Sequence, residues 1–536
     1  MTSGPDIPAA PVSARAADAP APAAPRAGRR EWTALGVLML PLLFVSMDVS
    51  ILFYALPAIG ADIEPGSTQQ LWMLDMYGFV LAGLLITMGA LGDRIGRRTV
   101  LITGTVLFAA ASVAAAYAQS PGQLIAARAL LGVGGACLMP STLALVRNLF
   151  HDRRQRSGAV ALWTTVMATG VSFGPVVSGA LLEHFWWGAV FLVNLPAMAL
   201  LLVLAPLLLP ESKAPTRGRF DILGAMLSLA ALLPLIHGIK ELAKHGYRPL
   251  PALGVTVGLA LGLVFLRQQA RLAHPMVDLA LLRRRTFGGS VLVNLLAMGA
   301  TVGFAAFFSQ YVQSVLGKSP FEAAMWSLVP SLGVVVAAPV GGALARRFDR
   351  GYVMGGGFLV SAAGFLSLTR IGTDSPLWMT LAGSAAYAGG LVSAMTLANE
   401  LALGAAPPEQ AGSAAAVLES GQELGGALGM ALLGSVGAAV YGRDMRGTAT
   451  SVPEAARETL SGAVAVARQL PHQLRDTVLP TAFRAFTHSM NTAAAGAALA
   501  MAGAAVLSVA LLRGTGSAPA GEAGGGASAE EKHRRR

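Results

Sequence analysis

Five charged side chains lie inside long apolar runs of the sequence, where ionised groups are rare. They are Asp48, Asp75, Arg128, Glu419 and Glu423. At the centre of a membrane helix each such charge costs roughly 2.5–3.5 kcal/mol on insertion scales, so it needs a polar cavity or a partner. Buried carboxylates can exchange protons and attract cations, and an arginine can pair with them. The five residues therefore predict proton and cation chemistry in an apolar interior.

Glu419 and Glu423 are four residues apart, so a helix places both on one face, and we expect that face to line a central cavity. Two close carboxylates in a medium of low dielectric cannot both ionise without a large penalty, so we expect one of them to hold a proton at neutral pH. Release of that proton creates a negative charge that a cation can occupy. The pair is therefore predicted to let a proton and a cation compete for one site.

Asp48 lies deep in the first apolar run, between Ser46 and Ser50. We expect this small polar face to admit water or ligand, so that the carboxylate attracts a lipophilic cation. Asp75, in the second run, is expected near the outer mouth of the cavity. Arg128, in the fourth run, is interpreted either as a partner that pairs and unpairs with a cavity carboxylate or as half of a static ion pair.

The composition indicates which solvent surrounds these charges. Of the 536 residues 54% are hydrophobic and 12% are charged, and the mean hydropathy is +0.60. A soluble domain carries about 25% charged residues and a disordered chain has low hydrophobicity, so both classes are excluded. The formal net charge is +11. The arginines of the chain form short clusters between apolar runs. This pattern is typical of the loops of a membrane protein and not of a nucleic-acid-binding surface.

Fourteen apolar runs of roughly 18–28 residues follow one another, and each can cross ~30 Å of hydrocarbon as a helix. The approximate spans are 33–57, 69–92, 99–119, 122–147, 157–182, 187–209, 220–240, 249–267, 286–312, 322–345, 352–372, 376–403, 410–440 and 486–512. Between the last two runs lies a long segment, 441–485, with apolar residues at helical spacing. We interpret it as a surface loop with a short amphipathic helix, or as a lid over the outer mouth.

The distribution of positive charge predicts the orientation. With the N-terminus in the cytoplasm, cytoplasmic segments hold 27 of the 39 Lys and Arg residues, outer segments hold 11, and Arg128 lies inside an apolar run. Six of those 11 lie in 441–485, whose length reduces their weight. An even number of spans returns the C-terminus to the cytoplasm. We therefore expect a multi-pass protein of the plasma membrane with both termini cytoplasmic.

A loop sequence occurs twice. Residues 89–98 follow the second run and residues 342–350 follow the tenth, and both begin Gly-x-Leu-small and end in basic residues. Two six-helix halves would place equivalent loops six helices apart. Here they are eight apart, so two additional helices, 220–240 and 249–267, are predicted between the halves. Internal repeats of this kind are typical of secondary transporters.

Further motifs accompany the repeated loop. The loop after the second run has Gly89, Asp93, Arg94, Gly96 and Arg97, and the fifth run has Gly170, Gly174 and Pro175, with Ser178 in place of a further glycine. Asp48 belongs to a first-run signature, Trp72, Asp75 and Tyr77 belong to a second-run pattern, and Arg128 belongs to a fourth-run motif. A further motif at the start of the sixth run consists of Trp187, Phe191, Asn194 and Pro196. Together, in this order, the motifs resemble those of the major facilitator superfamily, and within it the fourteen-helix drug:proton antiporters.

The resemblance covers roughly residues 32–512 and implies an all-α integral membrane protein with the major facilitator fold, 14 transmembrane helices (6+2+6) around a central cavity. It implies that the 89–98 loop latches the two halves on the cytoplasmic side, that the bend of the fifth helix governs opening of the cavity, and that Arg128 takes part in proton coupling. Relatives carry a further acid in the tenth helix, whereas residues 325–340 contain none. Monovalent lipophilic cations or neutral aromatic compounds are therefore the expected substrates.

The domain organisation follows from the runs and the resemblance. We expect a disordered cytoplasmic tail (1–30), an N-terminal six-helix bundle (31–210), two inserted helices with linkers (211–285), a C-terminal six-helix bundle with the external loop 441–485 (286–513), and a second disordered tail (514–536).

The predicted function is that of a proton-coupled efflux antiporter for amphipathic drugs or antibiotics, working by alternating access. The alternative is a dedicated exporter of one endogenous metabolite, such as an antibiotic, a siderophore or a lipid. We expect no enzyme activity, catalytic residues, metal site, nucleic-acid partner or cofactor, with the proton motive force as the energy source. The expected partners are small amphipathic substrates, protons and membrane lipids, and the chain is expected to act as a monomer.

Overall fold

The computed structural model describes residues 27–150, 152–211, 221–272, 279–406, 411–446, 453–468 and 471–514. The predicted disordered tails lie almost wholly outside the described residues, apart from a few positions at their inner ends, where Arg29 and Arg30 already belong to the first helix.

The described chain is built from helices, as lipid requires of a backbone whose polar groups must be paired internally. They are α1 (Arg29–Asp62), α2 (Ser67–Ile95), α3 (Arg97–Ala116), α4 (Pro121–Leu149), α5 (Arg153–His184), α6 (Ala189–Leu192), α7 (Leu195–Leu208), α8 (Ile222–His245), α9 (Pro249–Arg271), α10 (Leu279–Arg283), α11 (Arg285–Gln310), α12 (Pro320–Trp326), α13 (Val329–Ala345), α14 (Arg350–Leu368), α15 (Leu377–Ala405), α16 (Ala411–Met445), α17 (Glu454–Glu458), α18 (Leu460–Ala467) and α19 (His472–Leu512). A π-helical turn, Tyr311–Val315, extends α11.

Each of the fourteen predicted apolar runs is occupied by a helix or by two consecutive helices. The sixth run is divided into α6 and α7, and the tenth into α12 and α13. Among the described residues, 12 helices are long and apolar enough to cross a membrane, or up to 13 when the two parts of α2, bent by 51°, count as one span. The helical membrane architecture is thus confirmed. Fourteen spans remain a prediction, since α8, in the seventh run, is not included in that count.

Two hydrophobic cores correspond to two halves of the bundle. In the first half, α1 to α7 enclose a cluster that includes Leu38, Phe108 and Leu131. In the second half, α11 to α19 enclose a cluster that includes Phe304 and Phe358. The second cluster also takes in side chains from the ends of α1 and α2. The halves therefore share packed surface at one side of the bundle.

The two sides of the bundle can be defined by the repeated loop. We call the side that carries residues 89–98 the loop side, and the opposite side, where α1 ends and α2 begins, the far side. Side-chain caps fix where helices start on the loop side: Asp152 accepts a hydrogen bond from the Gln155 N–H at 2.9 Å, and Asp349 accepts one from the Gly351 N–H at 2.8 Å. A capping carboxylate pairs with backbone N–H groups that otherwise lack partners.

Hydrogen bonds join the two halves at the far side. The Ser309 hydroxyl of α11 donates to the Phe53 carbonyl of α1 at 2.8 Å, and the Ser319 hydroxyl donates to Glu183 of α5 at 2.7 Å. Gly179 of α5 lies against the backbone of Phe321 in α12, so a side chain there would collide with it. The bundle is therefore closed at the far side by direct contact between the halves.

Residues 454–467 of the predicted external segment form α17 and α18, which lie over this closed side. Tyr441 of α16 donates a hydrogen bond to the Ala456 carbonyl at 3.1 Å, and the Ser67 N–H at the start of α2 donates to Glu458 at 3.3 Å. Ser461 packs against Gly60 of α1. The segment thus reaches from the second half onto the first. The helix predicted in this segment rested on regularly spaced apolar residues. Two of them, Leu470 and the side chain of Ala455, lie outside the described part of the chain.

The inserted helices α8 and α9 form an antiparallel pair. Asp221 caps α8 through the Gly224 N–H at 2.7 Å, and its carboxylate also accepts hydrogen bonds from Gln268 and Gln269 of α9 at 2.8 and 2.6 Å. Helix α8 packs against both α2 of the first half and α16 of the second. Helix α9 carries exposed leucines, as expected of a surface in contact with lipid. The pair is therefore attached along the junction of the two halves.

Candidate functional site

Asp48 and Arg128 form a buried ion pair. The Asp48 Oδ2 and Arg128 Nη1 atoms are in direct contact, and both residues are only 1% exposed. The Arg128 Nε donates a hydrogen bond to the Met73 carbonyl at 3.1 Å, and the guanidinium lies 4.8 Å from the centroid of the Tyr77 ring. The pair therefore connects α1, α2 and α4. Since Arg128 compensates its charge, Asp48 is not a free anionic site.

The serines beside Asp48 face α5 and not the cavity. The Ser50 hydroxyl donates to the Val171 carbonyl at 2.8 Å, and Ser46 bonds within its own helix. Gly170 lies against Ser46 and Gly174 against Ser50, so any side chain at either glycine would collide with α1. The expectation that this face admits water or ligand is therefore wrong. Glycine at these positions lets the two helix backbones approach closely, and the serines fill the contact.

The rest of the fifth-run motif serves the same crossing. Ser178, which replaces a glycine of the motif, donates its hydroxyl to the Ile51 carbonyl at 2.9 Å. Pro175 lies inside α5, where it removes one backbone donor. The motif residues therefore form the α1–α5 contact within the first half, and the predicted role of the bend in opening the cavity stays a prediction.

Asp75 forms a second buried ion pair, with Lys240 of the inserted helix α8. The Lys240 Nζ is 2.8 Å from Asp75 Oδ2, and the two residues are 1% and 3% exposed. The ammonium group also lies 4.2 Å from the centroid of Trp72 and 5.9 Å from that of Phe79. Lys240 was not among the site residues predicted from the sequence. Its position as a charged residue at the end of the predicted apolar run 220–240 could have marked it as a candidate.

A cavity between the halves brings three of the five predicted charges together. Asp75, Arg128 and Glu423 line it, with Tyr77 and Gln422, and its walls come from α1, α2, α4, α11 and α16. The volume open to water is about 50 Å³. That is room for a few water molecules, since one needs roughly 10–15 Å³ on this measure, and far below the roughly 300–1,000 Å³ of a drug-sized pocket. A drug therefore requires a rearrangement of the halves to enter.

Glu419 lies one turn of α16 from Glu423, towards the loop side. Its Oε1 atom is buried and has no hydrogen-bond partner among the described residues. Neither glutamate forms an ion pair within the described part of the chain. Asp48 and Asp75, by contrast, each have a cation. Of these four acids, the two glutamates are therefore the ones that lack a partner cation among the described residues.

A carboxamide cluster holds α16 beside the glutamates. Gln422 donates hydrogen bonds to Asn294 of α11 at 3.4 Å and to Asn399 of α15 at 3.2 Å. These three residues were not among the predicted site residues. Carboxamides inside apolar runs could have been recognised as candidates in the same way as the charged residues. Because Gln422 precedes Glu423, the cluster fixes the rotation of α16 that presents Glu423 to the cavity.

The 89–98 loop forms an ion pair among its own residues and hydrogen bonds with Glu211. Asp93 forms an ion pair with Arg97 at 2.5 Å, one turn further along. Glu211, after α7, accepts hydrogen bonds from the Arg98 N–H at 3.1 Å and the Thr99 hydroxyl at 2.8 Å.

Backbone geometry explains one glycine of this loop. Gly96 has φ 120°, a conformation that favours glycine, and a side chain there would collide with Glu211. Gly89 lies on α2 beside Pro140, and Arg94 is in the last turn of α2. A latch between the two halves therefore remains a prediction. The contact between the loop and Glu211 was not predicted from the sequence.

Comparison with known proteins gives a consistent set of similarities. The model of the Major Facilitator Superfamily matches residues 38–303 and 290–452. The chain is 40% identical over 496 residues to the multidrug efflux pump LfrA of Mycolicibacterium smegmatis, covering 92% of this chain and 98% of that protein. It is 32% identical over 478 residues to the methyl viologen resistance protein SmvA of Salmonella typhimurium, covering 88% and 96%.

Solved structures give the same fold. A bacterial homologue of the human lysosomal transporter Spinster, crystallised in an inward-facing and unoccupied conformation, superposes with a TM-score of 0.66. The identity is 15%, and the match covers 92% of this chain and 99% of that one. At this identity the likeness concerns the fold alone.

Proposed function

Because the chain belongs to the major facilitator superfamily, we propose that it is a proton-coupled antiporter that exports amphipathic drugs by alternating access. The observation that carries the proposal is the uncompensated charge of Glu423 in a cavity between two packed halves. Relatives described as a multidrug efflux pump and a methyl viologen resistance protein support the drug-efflux part.

The charges around the cavity suggest how coupling works. Asp48 with Arg128 and Asp75 with Lys240 are balanced pairs, so the net charge of the site depends on Glu419 and Glu423. When both glutamates carry protons the site is neutral, and a cation gains no charge partner. When one proton leaves, the site becomes anionic and attracts a cation. A proton and a cationic drug therefore exclude each other, which is the requirement for antiport.

The contacts between the halves suggest the direction of access. In this conformation the far side is closed by Ser309, Ser319 and their partners in α1 and α5. If the loop side faces the cytoplasm, substrate enters from the cytoplasm and release requires these far-side contacts to separate. Moving one proton through 100 mV supplies about 2.3 kcal/mol, and a tenfold gradient corresponds to about 1.4 kcal/mol. One proton per cycle therefore sustains a gradient of about 50-fold for a neutral substrate, whereas exchange of one proton for one monocation moves no net charge and draws on the pH difference alone.

The efflux test uses a host that lacks its own drug pumps. Cells that express the chain should accumulate less of a monovalent lipophilic cation such as ethidium than cells with the empty vector. An uncoupler should abolish that difference, because it removes the driving force. A chain with Glu419→Gln and Glu423→Gln, at matched membrane level, is the control. Efflux that continues after the proton gradient has collapsed would reject proton coupling.

Topology in the plasma membrane is a separate prediction, motivated by the excess of Lys and Arg in loop-side segments. Reporter fusions after Gly92 and after Arg513 should both report the cytoplasm, and a fusion between α17 and α18 should report the exterior. Alkaline phosphatase and green fluorescent protein give opposite readouts and control for expression. Termini on opposite sides of the membrane would contradict an even number of spans.

A further inference from the structure

We propose that Lys240 is a tethered cation that occupies a cation site formed by Asp75, Trp72 and Phe79, and that it thereby sets the charge of the cation that the cavity accepts. The inference rests on the proposed function, since it concerns the substrate of the same cavity. It assigns a specificity-determining role to the inserted helix α8.

The surroundings of the Lys240 ammonium are those of a bound cationic ligand. A carboxylate oxygen of Asp75 lies at 2.8 Å, and the Trp72 and Phe79 rings lie at 4.2 and 5.9 Å from the nitrogen. Aromatic faces together with a carboxylate stabilise a desolvated cation through the ring quadrupole and direct charge. The protein therefore contains a complete cation site whose occupant is one of its own side chains.

Lys240 reaches Asp75 from behind the cavity wall. Asp75 is among the residues that line the cavity, whereas the Lys240 side chain has no exposed surface. Helix α8 is held there by apolar contacts, with Ile236 packed against Phe79 and Ala431 at the junction of α2 and α16. Asp75 therefore belongs to the cavity lining, while its carboxylate pairs with the ammonium behind it.

The consequence is a limit on substrate charge. With Lys240 in place, the negative charge of Asp75 is compensated by the ammonium group. A cationic substrate then interacts only with the charge of Glu423 and Glu419. Replacing the ammonium by a neutral group leaves the Asp75 carboxyl group without a partner, and in its ionised form that group adds one negative charge to the cavity wall. The energy of a ligand in that added field is proportional to the ligand's charge, so a dication gains about twice what a monocation gains. Loss of the lysine charge should therefore change selectivity, and not merely affinity.

The alternative role for the pair is attachment of α8 to the bundle. Attachment alone predicts that loss of the pair lowers stability and affects both kinds of cation equally. The ratio of the two affinities separates the roles, because a general loss of folded protein cancels in a ratio. Asp75 and Lys240 are both buried, so each single substitution leaves an unpaired charge, and the double substitution restores neutrality.

The experiment measures equilibrium binding of tetraphenylphosphonium, a monocation, and methyl viologen, a dication, to the purified full chain without a proton gradient. We expect Lys240→Gln to raise the affinity for methyl viologen relative to tetraphenylphosphonium at least tenfold. Lys240→Arg keeps the charge and should retain the wild-type ratio. The double variant Lys240→Gln with Asp75→Asn should return the ratio to within about threefold of wild type.

A second variant keeps the test decisive if Lys240→Gln does not fold. Asp75→Asn alone leaves the ammonium uncompensated, so it should shift the ratio in the opposite direction, against methyl viologen. An unchanged ratio in every folded variant would overturn the proposal, as would absence of binding of both cations throughout. Binding is measured without a proton gradient. The affinity ratio can therefore be interpreted even if the chain shows no proton-coupled efflux in cells.

Discussion

Drug-driven proton release should disappear when Glu423 is replaced by glutamine. Of the two glutamates, Glu423 lines the cavity, and no cation pairs with it within the described residues. Glutamine keeps the size and hydrogen-bonding capacity of the side chain but can neither bind nor release a proton. We therefore expect at least a tenfold loss of proton release from inverted vesicles, measured with a pH-sensitive dye after addition of drug, while the protein remains folded.

Glu419 should give a smaller effect, because it is not among the residues that line the cavity. We expect Glu419→Gln to reduce proton release about two- to fivefold, through the electrostatic influence of a charge one helical turn away. Glu400→Gln is the matched control, since Glu400 is an exposed acid on the neighbouring helix α15. Wild-type proton release from a well-expressed double variant of Glu419 and Glu423 would remove both from the coupling site.

Replacing Asp48 by asparagine should abolish transport and also lower stability. The substitution leaves the Arg128 guanidinium buried with no carboxylate partner. Removing one member of a buried ion pair typically costs about 3–5 kcal/mol, since the remaining charge is neither hydrated nor paired. We therefore expect a clear fall in the thermal unfolding temperature of the purified protein, together with loss of drug resistance in cells.

The double variant Asp48→Asn with Arg128→Gln separates these two effects. Both charges are then absent, so most of the lost stability should return. Transport should not return if the pair takes part in coupling. Asp48→Glu keeps the charge in a tightly packed place, and we expect partial activity. Full resistance in a stable Asp48→Asn variant would show that the pair serves neither function.

Part of this organisation could be predicted from residues alone. The apolar runs gave the helices, because a chain in lipid has few other ways to pair its backbone. The loop repeat predicted two inserted helices between two halves. Glu423 was predicted to line the cavity because it lies one helical turn from Glu419 inside an apolar run, and the structure has both side chains partly buried. Each of these inferences uses only local periodicity and composition.

The partners of the buried charges could not be predicted in the same way. Asp48 and Arg128 lie 80 positions apart, and Asp75 and Lys240 lie on helices that belong to different parts of the chain. Which helices become neighbours depends on the packing of small residues across their contacts. The Gly170 and Gly174 contact with α1 turns Ser46 and Ser50 away from the cavity, contrary to the expectation for that face.

Residue types and their spacing were enough to predict a helical membrane protein with acids inside its apolar runs and a repeated loop that indicates two halves. Those properties follow from the length of the apolar runs, the positions of the charged residues and the repeated loop, all of which can be identified in the sequence. Which acids lack a partner cation follows only from how the helices pack against one another. That outcome depends on distances of a few ångströms between side chains on separate helices, because in a medium of low dielectric a cation at 2.8 Å compensates a carboxylate that would otherwise be available to a proton or a drug.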